Sequence, residues 1–109
     1  MSREALGEFE QLVLLVLLRL GEAGYGVSVR EELQRHGGRS VSLGTVYKTL
    51  LRLESKGLVT AHVGEPTPER GGRRKKHYAL TAAGRRALMR CLVTLRKLSQ
   101  GLAPLWEAP

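Results

Sequence analysis

Seven consecutive apolar residues, Leu12-Val13-Leu14-Leu15-Val16-Leu17-Leu18, form the longest apolar run in a chain of 109 residues. A membrane span needs roughly 18, so this run belongs inside a fold or against another chain. Its flanks predict a helix over residues 8–20. Glu8 and Glu10 put negative charge on the first turn, and Gly21 closes the last. A short buried strand is the competing reading of the apolar run alone. As a helix the run is apolar on every face and must be covered all round. A chain this short fits one domain with a modest core, and a partner subunit can supply part of its stability. One side of the helix then faces the core and the other faces a second subunit, with Leu12, Leu15 and Val16 as interface candidates.

The rest of the chain parses into short elements. Residues 23–36 predict a second helix opened by Tyr25-Gly26, with Val29 and Leu33 inward and Arg30, Glu31, Glu32, Gln34 and Arg35 outward. Gly37-Gly38 ends it. Residues 42–56 predict a third helix. Ser42 is its N-cap, Leu43, Val46, Leu50 and Leu53 are its core stripe, and Gly57 is its stop. Its outward residues are Thr45, Lys48, Thr49, Arg52 and Lys56. Two extended segments follow at 58–63 and 76–80, joined by a loop over 64–75 that holds two prolines, a Gly-Gly pair and Arg70, Arg73, Arg74 and Lys75. Thr81 caps a last helix from 82 to about 103, which Pro104 interrupts. Leu88, Cys91, Leu95, Leu98, Leu102 and Leu105 recur there in alternating steps of three and four, as in a heptad seam. The seam can pair with another subunit, with the chain's own first helix, or with both.

Charge divides this parse in two. The chain carries +8 overall. Residues 39–86 hold eleven cations against three glutamates and so account for all of it, while the other seven cations and seven anions cancel. Excess charge confined to one contiguous stretch suits a polyanionic partner better than a merely solvated surface. The order helix, helix, turn, helix, strand, basic loop, strand, helix is that of a winged helix-turn-helix, whose third helix enters the DNA major groove. Ser42, Thr45, Lys48 and Thr49 are small or polar enough to meet base edges, while Arg52 and Lys56 suit phosphates. No outward Asn or Gln offers a bidentate adenine contact, so readout rests on hydroxyls, thymine methyls and DNA shape. Arg73, Arg74, Lys75 and Lys76 form a second, wing-borne arm.

Several stretches together resemble the PadR family of bacterial transcriptional regulators. They are Leu6-Gly7-Glu8-Phe9-Glu10, Tyr25-Gly26, the pattern VYxxLxRLExKGLV from Val46 to Val59, and GGRRKxxYxLTxxG from Gly71 to Gly84. The resemblance runs from about Leu6 to Leu98. It implies a mainly α winged-helix dimer with a small β-wing, usually a repressor on a pseudo-palindromic double-stranded DNA site, whose first and last helices form the dimer interface. Residues 1–81 would then be the DNA-binding domain and 82–109 the dimerisation helix. Leu88, Cys91, Leu95, Leu98 and Leu102 join Leu12, Leu15 and Val16 at the interface. Tyr47 matches a tyrosine that lies near the DNA backbone in the family, and an edge-of-core aromatic is the other reading of it. Some members hold flat aromatic ligands between tryptophans of the paired last helices. Leu95 stands at that position here, and Trp106 lies beyond Pro104. A single C-terminal helix matches the shorter branch of the family, with no extra ligand domain expected and a small-molecule effector left unidentified.

Other functions are disfavoured by residue type. His36, His62, His77 and Cys91 are not at metal-ligand spacing, so no metal or cofactor is expected. The chain has no Asp to complete a Ser-His catalytic set, and Gly71-Gly72-Arg73 precedes a strand rather than a helix, which excludes a phosphate-binding loop. An RNA- or ribosome-associated protein would display aromatics for base stacking, and only Tyr78 of the five here lies in a wing strand. A protein-binding adaptor would not need its charge concentrated in one half. A lone cysteine and the absence of a signal sequence or membrane run predict a cytoplasmic protein.

Overall fold

A computed structural model describes residues 6–64 and 75–102. In chain order it contains α1 (Glu8–Leu20), a 3-10 turn (Gly21–Ala23), α2 (Gly26–Arg35), α3 (Leu43–Ser55), β1 (Val59–Val63), β2 (Lys76–Leu80) and α4 (Ala82–Ser99). The fold is mainly α with one antiparallel two-stranded sheet, as the residue pattern predicts. Among the described residues, no helix is long and apolar enough to cross a membrane.

One core binds these elements. Val13, Leu14 and Leu17 of α1, Val29 and Leu33 of α2, Val46, Leu50 and Leu53 of α3, Val59 of β1, Tyr78 of β2 and Leu88 of α4 are all buried in it. Each such aliphatic side chain contributes about 1.5–3 kcal/mol through burial. Val16 and Leu88, expected at the subunit seam, belong to this core instead. The apolar helix α1 is thus covered mostly by its own chain, with Leu12 and Leu15 half-buried and Leu18 exposed.

Helix α2 begins at Gly26, three residues later than expected. Gly21–Ala23 winds as a 3-10 turn, and Gly24 leaves helical geometry so that its carbonyl can accept the Tyr78 N–H at 2.8 Å. Tyr25 then bridges His77 as a one-residue third strand. An isolated two-stranded ribbon is marginal in water, and this bridge fastens the wing to the body. Glu32, expected to face outward, is buried, with Arg19 of α1 reaching its Oε2 at 2.8 Å and His36 against the same oxygen.

The end of α3 is a Schellman close. Gly57, at φ +74°, donates to the Glu54 carbonyl, and Leu58 donates to that of Leu53, both at 2.9 Å. Thr81 then docks on this turn. Its N–H meets the Leu58 carbonyl at 3.0 Å, its hydroxyl donates to the Gly57 carbonyl at 2.7 Å, and the same oxygen caps α4 by accepting the Gly84 N–H. Helix α4 stops at Ser99, short of the expected 103, where Gly101 turns at φ +81°. Leu102 therefore lies beyond the helix and off its seam.

Candidate nucleic-acid interface

Helix α3 presents two unlike sides. Val46, Thr49, Leu50 and Leu53 are buried, while Ser42, Thr45, Tyr47, Lys48 and Arg52 are exposed. Ser42 caps the helix as expected, accepting the Thr45 N–H at 3.1 Å, and its hydroxyl lies 2.9 Å from that of Thr45. The capping bond leaves Ser42 a share of its hydrogen-bonding capacity and fixes Thr45 beside it. Lys48 and Arg52 follow on the same exposed side at one-turn spacing. No acidic residue occurs between Leu43 and Leu53, so this side is positive or neutral throughout.

Two residues assigned to the outward side are corrected. Thr49 is 3% exposed, and its hydroxyl donates back to the Thr45 carbonyl at 3.0 Å. It follows Val46 by three positions and precedes Leu53 by four, which places it on the core side of the helix. Lys56 turns inward to α1, with its Nζ at 3.1 and 3.0 Å from the two carboxylate oxygens of Glu10. Burial pushes the Glu10 carboxyl up, but the Gly7 N–H and the ammonium of Lys56 outweigh it and hold the group below the ordinary 4.5.

Tyr47 is half-exposed, with its phenol ring laid over Gly26 at the start of α2. A Cβ at position 26 would fall 2.4 Å from the ring, so any larger residue there must displace the phenol. The edge-of-core reading of Tyr47 describes this packing, and its exposed flank stays available on the α3 side.

In the wing, Arg73 and Arg74 lie outside the described residues. Lys75 is not a free arm, since its Nζ donates to the Tyr25 hydroxyl at 3.2 Å and sits 4.4 Å from that ring's centre. Lys76 is exposed, its Nζ 5.7 Å from the Tyr78 ring. Burial raises the Tyr78 hydroxyl above its ordinary value of 10.0. His62 and His77 face each other across the strands as stacked rings 5.4 Å apart, and Tyr25 meets His77 edge-on. His77 Nδ1 also lies 2.9 Å from the Glu22 carbonyl. Residue patterns alone do not reveal this aromatic joint, because its members lie far apart in the chain. The Tyr25-Gly26 pair was its one visible trace.

The expected interface residues divide. Leu95, Leu98 and Leu102 are 57%, 75% and 51% exposed. Cys91 is half-buried beside an open groove of about 320 Å³ lined by Gln11, Arg90, Cys91, Thr94 and Leu95. The groove lies between the start of α1 and the second half of α4, where Leu12 is also half-buried.

This arrangement matches known regulators in sequence and in shape. Residues 13–90 match the model of the transcriptional regulator PadR-like family. The transcriptional regulator Rv3488 of Mycobacterium tuberculosis is 40% identical over 76 residues, which is 70% of this chain and 66% of that protein, just under two thirds of its length. A PadR family regulator from Eggerthella lenta superposes with a TM-score of 0.65 at 31% identity, covering 94% of this chain and 88% of the other. A PadR family regulator from Clostridium difficile gives 0.68 at 26% identity, covering 92% and 99%. The family is one of transcriptional regulators rather than enzymes. With its winged helix-turn-helix and the interlocking motifs that build it, the chain belongs to the transcriptional regulator PadR-like family.

Proposed function

We propose that this protein is a homodimeric, sequence-specific DNA-binding regulator that represses a nearby promoter, works in the cytoplasm, and is released by a signal still to be identified. The observation that carries the reading is the exposed side of α3, where Ser42, Thr45, Lys48 and Arg52 line up, with no acidic residue of α3 among them, above a side locked into the core. The first turn reads base edges, while Arg52 and the wing cations Arg73, Arg74 and Lys76 hold phosphates. Lys75 supports the wing root through Tyr25. Pairing of two chains through Leu95 and Leu98 of α4, with Leu12, Leu15 and Cys91 at its margin, sets two reading helices about one DNA turn, or ~34 Å, apart on a pseudo-palindromic site. On this reading residues 1–81 carry DNA binding and 82–109 carry pairing.

A gel-shift titration against the DNA upstream of the protein's own gene tests this. Retention of the shift under excess competitor DNA is the expected result. Equal affinity for RNA, or no binding at low salt, would sink the reading. Arg73→Ala or Arg74→Ala should weaken binding to every sequence and lower the salt slope by about one. Thr45→Ala should change sequence preference, and an unchanged preference removes it from the readout.

A further inference from the structure

Glu10 lies in the first turns of α1 at 5% exposure, and the two cations that hold it come from the far end of α3. The Lys56 ammonium spans both of its oxygens at 3.1 and 3.0 Å, the Arg52 guanidinium stands 4.0 Å away, and the Gly7 N–H donates to Oε1 at 2.9 Å. An ammonium, a guanidinium and a backbone N–H converging on one anion is the donor set that a DNA phosphate takes. Here the anion belongs to the protein itself. The two cations differ in what they can still reach: the Lys56 side chain is 18% exposed and that of Arg52 is 57% exposed.

We propose that Glu10 is a built-in competitor for phosphate, one that withholds Lys56 from DNA and shares Arg52 with it at the C-terminal end of the reading helix. This rests on the reading of α3 as the DNA-facing helix. Affinity common to all sequences follows the number of phosphates that a protein neutralises. Keeping Lys56 out of that count leaves a larger share of the binding to the first turn of α3, where Thr45 and Lys48 lie. Glu10 is then a specificity-setting residue that never touches the DNA.

The test is the salt dependence of binding to a random-sequence duplex, measured by fluorescence anisotropy on the full chain. Glu10→Gln removes the competing charge, so the slope of log affinity against log salt should steepen by about 0.9, one phosphate's worth. The loss of affinity between about 50 and 200 mM salt should then grow roughly three- to fourfold. The double variant Glu10→Gln/Lys56→Gln is the second arm and decides alone if Glu10→Gln does not fold. It removes the anion together with the withheld cation, so its slope should be no shallower than that of the wild type. A wild-type slope in Glu10→Gln, or a slope lowered by about one in the double variant, overturns the proposal. Wild-type protein that binds no duplex at all overturns the reading of α3 itself, which is a separate failure.

Discussion

Gly44 stands on the exposed side of the first turn of α3, and a Cβ there would meet only the Ser42 hydroxyl, at 3.9 Å. Nothing among the described residues requires glycine at this point, although glycine in a helix costs about 0.5–1 kcal/mol relative to alanine. The proposed role of α3 supplies a reason from outside the chain: with no side chain, the backbone of a helix that reads DNA can approach base edges closely. Gly44→Ala should therefore gain roughly 0.5 kcal/mol of stability in chemical denaturation while losing several-fold in operator affinity. A variant that binds as well as wild type would show that no close approach occurs there. Gly26 is the opposite case, since its space is filled from within by Tyr47. At this scale the sequence was legible where a residue's role is set by its own helix, as with the Ser42 cap and the Val46-Leu50-Leu53 stripe. It was not legible for Glu10, Glu32 and Lys56, because helical periodicity carries no information about the ion partner waiting on another helix. Thr49 misled for a related reason, as its hydroxyl finds an acceptor on its own backbone and so can sit inward.

Element boundaries were readable where stop signals are local. Helices α1 and α3 run as their caps and glycines predict, whereas α2 starts late because Gly24 answers to a distant strand. The two longest motifs prove to be two halves of one contact. Lys56-Gly57-Leu58 ends α3, Thr81 to Gly84 begins α4, and Thr81 bonds to Gly57 and Leu58 across the gap. Gly84 seals the joint, since a Cβ there would lie 2.0 Å from the Leu58 carbonyl oxygen, backbone that cannot move aside without opening the α3 turn. Gly84→Ala should consequently cost more than about 2 kcal/mol despite alanine's better helix propensity, measured as a drop in denaturation midpoint. A neutral or stabilising result would mean that α4 can shift off the turn freely.

Over the whole molecule, the surplus charge and the helical run of exposed leucines occupy different stretches of the chain. The net charge lies between residues 39 and 86, where Leu51 and Val63 are also exposed, and the leucine run lies at the far half of α4, where Leu95 and Leu98 are mostly uncovered by the described residues. Leu98→Asp should leave the far-ultraviolet circular dichroism spectrum intact, because this side chain is three-quarters exposed among the described residues, while sedimentation velocity shifts from the proposed dimer to monomer. A dimer that survives this change and Leu95→Asp would place the subunit contact elsewhere. The heptad spacing made the seam visible in the sequence, but it could not tell Leu88, sunk in the subunit's own core, from Leu98 beyond it, since both fit one repeat. The joint at Thr81 and Gly84 gives the seam a mechanical meaning. Helix α4 has 18 residues and so extends about 27 Å from that fulcrum. A sideways displacement of about 2 Å at its free tip corresponds to a rotation of only about 4° at the base. On the proposed pairing, a molecule wedged between the two tips would thus work through a long lever arm, turning a modest push at one end into torque on the turn that closes α3.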